Sequence, residues 1–361
     1  MNKHFKRGLV VGKFSPLHRG HELIINRAIE DCDEVVLLCY SKPELPGCDS
    51  SRRERWLSAL FPSIRHLVVT DELLGRLVKV GEGPRDVPHN DAAELTHRRF
   101  CGFLCSHVLG VTVDAVFTSE DYGDGFAAEL TNYFQKQDAA LPAVKHILVD
   151  KDRTKLPISG TLLRQDIHAH SDWLAPEVYA SFVQRVCLLG GESTGKSTLA
   201  EALAREFSTV HAAEYGRDLW EAKSGALTFA DMLHIAEIQI QREDEAALKA
   251  KRFIFCDTSP LTTLFYSQHF FGKAETALEE LANRSYDFIF LCAPDFPFVQ
   301  DGTRKPEDFR LLQHEWYLHE SNLRKISFHL VTGSNENRIR QIREHLSTPR
   351  VSAAPSGAES L

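Results

Sequence analysis

The 361-residue sequence has no apolar run near the ~18 residues that a membrane-crossing helix needs. It also lacks the basic excess of a large nucleic-acid footprint, its formal net charge being −8. Membrane insertion and extended nucleic-acid binding are therefore not expected, and any phosphate binding has to be local. Among the eight cysteines there is no Cys-x-x-Cys pair, and no histidines stand at zinc-finger spacing. Cys101 and Cys105, one helical turn apart, read as packing residues, and the thiols suit a reducing compartment. The start MNKHFKRGLVVGKF passes from a few basic residues into a motif-bearing strand, so a signal peptide would have to be cut through that motif; the cytoplasm is the expected location. There is no internal repeat. No Asn-Lys-x-Asp motif is present to read guanine, which counts against a GTPase switch.

What is present is globular in character, with 43% hydrophobic and 25% charged residues. At roughly 150 residues per domain, the length suggests two. The first half alternates apolar strands (GLVVGKF, EVVLLCY, RHLVVT, VDAVFTSE, KHILVD) with helical stretches (ELIINRAIEDC, RRERWLSALF, ELTHRRFCGFLCSHVLG). The second half restarts the pattern with RVCLLGG, KSTLAEALAREF, TVHAAE, RFIFCD, YDFIFLC and ISFHLVTG. Strands separated by helices make right-handed parallel units, so the expected fold class is α/β, with two doubly wound parallel-sheet domains. The expected boundaries are a first domain over 1–170, a linker over 171–184, a second domain over 185–346 and a disordered Pro/Ser/Ala-rich tail over 347–361.

In GKFSPLHRGH (12–21) a strand ends and turns through Ser15 and Pro16, presenting His18 and His21 at a helix start. Two imidazoles three apart, with Gly20 between them, can donate to phosphoryl oxygens without acting as bases. Gly12 and Phe14 suit a close backbone approach, and Lys13 adds charge. ISGTLLR (158–164) places Ser159, Gly160 and Thr161 at a helix start as an anion nest, with Arg164 as fixed positive charge; an ordinary capped helix gives the same residues.

GGESTGKS (190–197) satisfies G-x-x-x-x-G-K-[ST] directly after one strand and opening the next helix. The backbone of Gly190, Gly191, Glu192, Ser193, Thr194, Gly195 and Lys196 is expected to cradle phosphates. The Lys196 ammonium then reaches the β and γ oxygens, Ser197 ligates Mg²⁺, and Thr198 follows in the motif. Asp257, ending the strand RFIFCD, suits a metal-holding acid, although it also suits a helix cap.

The pattern H-x-G-H with ISGTLLR resembles the nucleotidyltransferase superfamily. The order HRGH, ISGTLLR, GGESTGKS, DGTRKPEDFR resembles the bifunctional NadR-type family, which joins nicotinamide mononucleotide (NMN) adenylyltransferase to ribosylnicotinamide kinase, here without a helix-turn-helix before the first strand. The resemblance covers residues 5–346. It implies ATP and Mg²⁺ as cosubstrate and cofactor, with nicotinamide riboside, NMN and NAD as the other small-molecule ligands. Some members of that family are repressors through the helix-turn-helix; with few residues before the first strand here and a net charge of −8, no nucleic-acid partner is expected, while a homo-oligomer stays open. Arg52, Trp56 and Tyr122 then fall where the acceptor nucleotide binds, though an exposed arginine and core aromatics explain them equally. Glu214, Tyr215, Arg217 and Asp218 fall in the riboside pocket, with Glu214 and Asp257 the two candidates for general base. Arg304 and Arg310 would close a lid over the transferring phosphoryl group, and Arg338 would stack on adenine. Two other readings use the same motifs: a phosphopantetheine adenylyltransferase joined to a dephospho-coenzyme A kinase, and a nucleotide-sensing regulator.

Overall fold

The computed structural model describes residues 3–151, 154–295 and 307–347. Arg304, residues 301–306 of the expected lid, and the tail from 348 lie outside the described residues. The chain divides between Phe182 and Val183 into two compact units.

The first unit contains β1 (Phe5–Gly12), β2 (Cys32–Cys39), β3 (Arg65–Val68), β4 (Ala115–Thr118) and β5 (Lys145–Leu148). They pair in parallel in the order β3-β2-β1-β4-β5. The second unit contains β6 (Gln184–Leu189), β7 (Val210–Ala212), β8 (Phe253–Asp257), β9 (Phe288–Cys292) and β10 (His329–Val331). These are also parallel, in the order β10-β9-β6-β8-β7. Strand order reverses at β1 in one sheet and at β6 in the other. The crevice beyond the carboxyl ends at such a point is where open α/β sheets take ligands. GKFSPLHRGH leaves from the end of β1, and GGESTGKS from the end of β6.

Parallel strands covered on both faces read as apolar runs, which is why these segments were legible. In β6 the alternation divides cleanly. Val186 and Leu188 pack with Leu199 and Leu203 on one face; Cys187 and Leu189 pack with Met232 and Ile235 on the other. Helices begin where side chains satisfy free N–H groups: Asp49 accepts from Arg52 N at 2.9 Å, and Thr228 with Asp231 forms a capping box. The helix Glu94–Phe103 runs on into a π turn over Leu104–Val108, with Leu109 N bonded to Leu104 O. All eight cysteines are free and buried. Among the described residues no three metal-ligating side chains converge, and no helix is long and apolar enough to cross a membrane.

The stretch 171–184, expected as a linker or bridging helix, contains the division between the two units and is itself folded. It holds a short 3₁₀ turn and the helical turn Pro176–Tyr179, with Leu174, Ala175, Val178 and Tyr179 buried. Trp56 explains part of this: it is 1% exposed, its Nε1 donates to Ser181 Oγ at 2.9 Å, and its ring lies 5.8 Å from that of Phe182. A tryptophan with its indole N–H satisfied in a core is a packing residue, so Trp56 is not a substrate contact.

Candidate active sites

The first site is assembled from two loops far apart in sequence. Phe14, 1% exposed and at φ +45°, folds back so that a Cβ on Gly12 would stand 2.7 Å from its ring; only glycine allows that approach. Phe14 also meets His21 edge-on at 5.0 Å. His18 caps the helix Arg19–Asp31, its Nδ1 accepting from Gly20 N at 3.1 Å. An Nδ1 that accepts leaves the ring hydrogen on Nε2, so His18 is a donor through that nitrogen. The His18 and His21 rings stack at 3.8 Å.

Arg164 ties the second loop to the first: Nη1 donates to Ser15 O at 2.6 Å and Nη2 to Thr161 Oγ1 at 3.1 Å. Ser159 caps its short helix by accepting from Leu162 N at 3.2 Å. Gly160 is pressed so close that a Cβ there would lie 3.3 Å from Ser15 O. Lys13, Phe14, His18, His21, Thr161 and Arg164 thus line one cavity of about 300 Å³. Ser159 and Gly160 line it too, so the two motifs meet.

The structure adds Ser119, Glu120 and Asp150 to this cavity. Asp150, at φ +50°, accepts from Lys155 N at 3.1 Å and Leu156 N at 3.2 Å, shaping the approach to ISGTLLR. Each stands at or just after a strand end, the position that could have marked them. Arg52 does not line the cavity: it bonds Gly47 O at 3.1 Å and pairs with Asp49 at 3.4 Å. Tyr122, 41% exposed at the start of the helix Gly123–Gln135, is likewise absent from the cavity lining.

In the second site the phosphate loop takes the left-handed backbone its glycines permit. Gly190 is at φ +146°, Ser193 at +58° and Gly195 at +78°, and Thr194 Oγ1 donates to Gly191 O at 2.8 Å. Lys196 Nζ bends over the loop and donates to Gly190 O at 2.9 Å and Gly191 O at 3.0 Å. Ser197 follows in the first turn of the helix Lys196–Glu206, with Thr198 behind it. Asp257 ends β8 opposite Leu188 of β6 and is 2% exposed. Its Oδ1 has no hydrogen-bond partner among the described residues. A buried carboxylate oxygen with nothing to bond is costly, and a cation is what such an oxygen fits.

Glu214 belongs to the same electrostatic neighbourhood. Burial pushes its carboxyl above the usual glutamate value, the Lys196 ammonium opposes this, and Asp257 reinforces it. Tyr215 N donates to Gln239 Oε1 at 2.9 Å, its hydroxyl lies 3.3 Å from His234 Nε2, and the Arg242 guanidinium covers its ring at 4.7 Å. Asp218 pairs with Arg242 at 2.7 Å, and Arg217 stands 4.0 Å from Glu214. Asp218 and Tyr215 are thus engaged by the helix Phe229–Ala247, not presented freely to a riboside. Gln239 was missed in sequence, although a polar residue in register with buried Met232, Ile235 and Ala236 is a legible signal.

Arg310 and Arg338 need correction. Arg310 is 2% exposed, its Nη2 bonds Glu307 at 2.5 Å, and its backbone packs against Gly191; it is a buried packing residue and not an open lid arginine. Arg338 is fully buried. It donates to Thr194 O at 2.7 Å, Ala293 O at 2.8 Å and Gly333 O at 3.0 Å, and pairs with Asp295. It grips the phosphate loop from beneath and does not stack on adenine. Arg338→Ala leaves three carbonyls and a carboxylate without their donor, and the expected loss is about 3–5 kcal/mol of stability in the second unit. Chemical denaturation monitored in that unit checks this, and a loss under about 1 kcal/mol would contradict the assignment.

The fold and the two sites define a chain with a nucleotidyltransferase-type HxGH domain followed by a P-loop kinase-type domain. The AAA domain family matches residues 185–338. The trifunctional NAD biosynthesis/regulator protein NadR of Salmonella typhimurium is 30% identical over 313 residues, covering 82% of this chain and 71% of that protein. Its counterpart in Escherichia coli is 29% identical over 319 residues with the same coverage. This chain belongs to the NadR family. A crystal structure of a NadR protein in complex with NAD and AMP-PNP shares the fold at TM-score 0.68 and 18% identity, over 96% of this chain and 97% of that one. A second, in complex with NR, shares it at TM-score 0.65 and 19% identity, over 97% and 98%.

Proposed function

We propose that this chain makes NAD in two steps, phosphorylating nicotinamide riboside in its second unit and adenylylating the resulting mononucleotide in its first. The observation that carries the reading is the pairing, in a NadR-family chain, of the HRGH–ISGTLLR cavity with a P-loop backed by Asp257.

In the kinase step the riboside 5′-hydroxyl oxygen attacks the γ-phosphorus of ATP, the bond to the β-phosphoryl oxygen breaks, and ADP leaves with the electron pair. Ser197 and the free oxygen of Asp257 are the residues that would hold Mg²⁺, which supplies neutralising charge to the β and γ oxygens. Lys196 places a second positive charge on the same oxygens. The hydroxyl proton goes to Glu214, whose raised pKa makes it a stronger base than an ordinary glutamate. Glu214→Gln is expected to lower kinase kcat about 10²-fold. The carboxylate is the acting form, so wild-type activity rises with pH through the Glu214 pKa, and burial moves that limb above the ordinary glutamate position. A pH–rate profile checks it; a Gln variant keeping the wild-type acid limb would exclude Glu214 as the base.

In the adenylyl step a phosphate oxygen of NMN attacks the α-phosphorus of ATP, and pyrophosphate leaves. An ionised phosphate needs no base, so the site has to supply charge and donors alone. His18 through Nε2–H, His21, Lys13 and Arg164 are of that kind. The test is to incubate the purified chain with ATP, Mg²⁺ and nicotinamide riboside and separate the products. Mononucleotide followed by NAD supports the reading. Untouched riboside with adenylylated 4′-phosphopantetheine would replace it with the coenzyme A pairing.

A further inference from the structure

Thr118, at the end of β4, is 5% exposed, and its hydroxyl is the centre of a small buried network. It donates to Glu120 O at 2.8 Å and accepts from Glu120 N at 3.4 Å, so it closes the turn that carries Ser119 and Glu120. His146 Nε2 lies 2.8 Å from the same oxygen. A hydroxyl has one proton. With that proton on Glu120 O, Thr118 can only accept from His146, so Nε2 carries hydrogen. The other ring nitrogen lies 2.9 Å from Asp124 Oδ1, and a carboxylate can only accept.

The arrangement is built rather than incidental. His146 stands on β5 opposite Val116, two residues before Thr118 on the neighbouring strand, so its side chain reaches diagonally to the hydroxyl. Its side chain is 7% exposed while that of Asp124 is 92% exposed, so the threonine bond is the protected one and Asp124 orients the ring from outside. The helix Gly123–Gln135 opens with glycine where a Cβ would run into the His146 ring.

The turn held in this way lines the adenylyl-transfer cavity, which Lys13, His18, His21 and Arg164 also line. Beside those phosphate-binding groups, a carboxylate repels phosphate oxygens and accepts from sugar hydroxyls. We propose that His146 is a positioning residue that acts through Thr118 to set the Ser119–Glu120 turn against the ribose of ATP. The inference rests on the adenylyl-transfer reading of the first unit. Neither His146 nor Thr118 touches the reacting atoms, so their loss loosens one binding wall and leaves the phosphate-binding groups in place.

The experiment is steady-state adenylyl transfer by the full chain, with ATP and NMN varied separately, in Thr118→Val, Thr118→Ser, His146→Leu and His146→Gln. Valine and leucine remove the bond; serine keeps the hydroxyl, and glutamine keeps an amide donor. Thr118→Val and His146→Leu are expected to raise KM for ATP about tenfold with kcat and KM for NMN within about twofold. Thr118→Ser and His146→Gln are expected to stay within about threefold of wild type. Kinase activity of the same preparations reports integrity of the second unit, and thermal melting reports the first. Should Thr118→Val fail to fold, the two His146 variants decide by themselves. An unchanged KM for ATP on an active wild type, or serine as impaired as valine, overturns the inference alone. A wild type that makes no NAD from NMN removes the functional reading and this inference together.

Discussion

Lys196→Ala is expected to lower riboside phosphorylation about 10³-fold, close to 4 kcal/mol of transition-state stabilisation, while NMN adenylylation stays within about twofold. The asymmetry follows from the chemistry. The transferring phosphoryl group gathers negative charge on its equatorial oxygens, and the catalyst's task is to have positive charge already in place. Lys196 Nζ is held over the loop by Gly190 O and Gly191 O, so its ammonium is delivered to the phosphate cradle by the backbone that builds it. Removing it takes one donor from Gly190 O and one of two from Gly191 O, which keeps Thr194 Oγ1, a small stability cost beside the kinetic one. There is a second consequence. The Lys196 ammonium lowers the Glu214 pKa against the effect of burial, so its removal pushes that pKa higher and moves the acid limb of the residual activity upward. Product chromatography with riboside, and separately with NMN, reads both effects. A variant keeping more than about a tenth of the wild-type kinase rate, or losing both activities equally, contradicts the two-site division.

What could be read in advance, and what could not, divides along sequence distance. HRGH, ISGTLLR and GGESTGKS are each contiguous and each opens a helix, where the backbone favours glycine and a cap and a cation follows within a few residues, so spacing carries the chemistry. The sheets were legible because buried parallel strands such as EVVLLCY are apolar throughout. The misassigned residues depend on partners that the local sequence does not contain. Arg338 bonds Thr194, 144 residues away, and Trp56 bonds Ser181, 125 residues away. An arginine after a terminal strand looks the same whether it meets adenine or a loop carbonyl. A tryptophan among arginines looks the same whether it faces a nicotinamide ring or the core. Asp218 and Tyr215 stand on the short helix Tyr215–Ala222, and only the three-dimensional placement of Arg242 and Gln239 shows that a neighbouring helix already engages them.

His18→Ala is expected to lower adenylyl transfer about 10²–10³-fold and leave riboside phosphorylation within about twofold. His18 has two jobs, and the variant removes both. Its Nδ1 caps the helix Arg19–Asp31 at Gly20 N, a contact whose loss costs about 1 kcal/mol of stability. Its Nε2–H is the donor this reading assigns to a phosphoryl oxygen, in a cavity it shares with His21, Lys13 and Arg164. The stacked ring of His21, at 3.8 Å, loses its support as well. His18→Asn separates the two roles, because asparagine is a good N-cap but its short amide does not reach where the imidazole reaches. The asparagine variant should recover most of the melting temperature and little of the rate. Recovery of rate along with stability would mean that His18 serves the helix only, and that the charge on the leaving pyrophosphate is carried by Lys13, His21 and Arg164 without it.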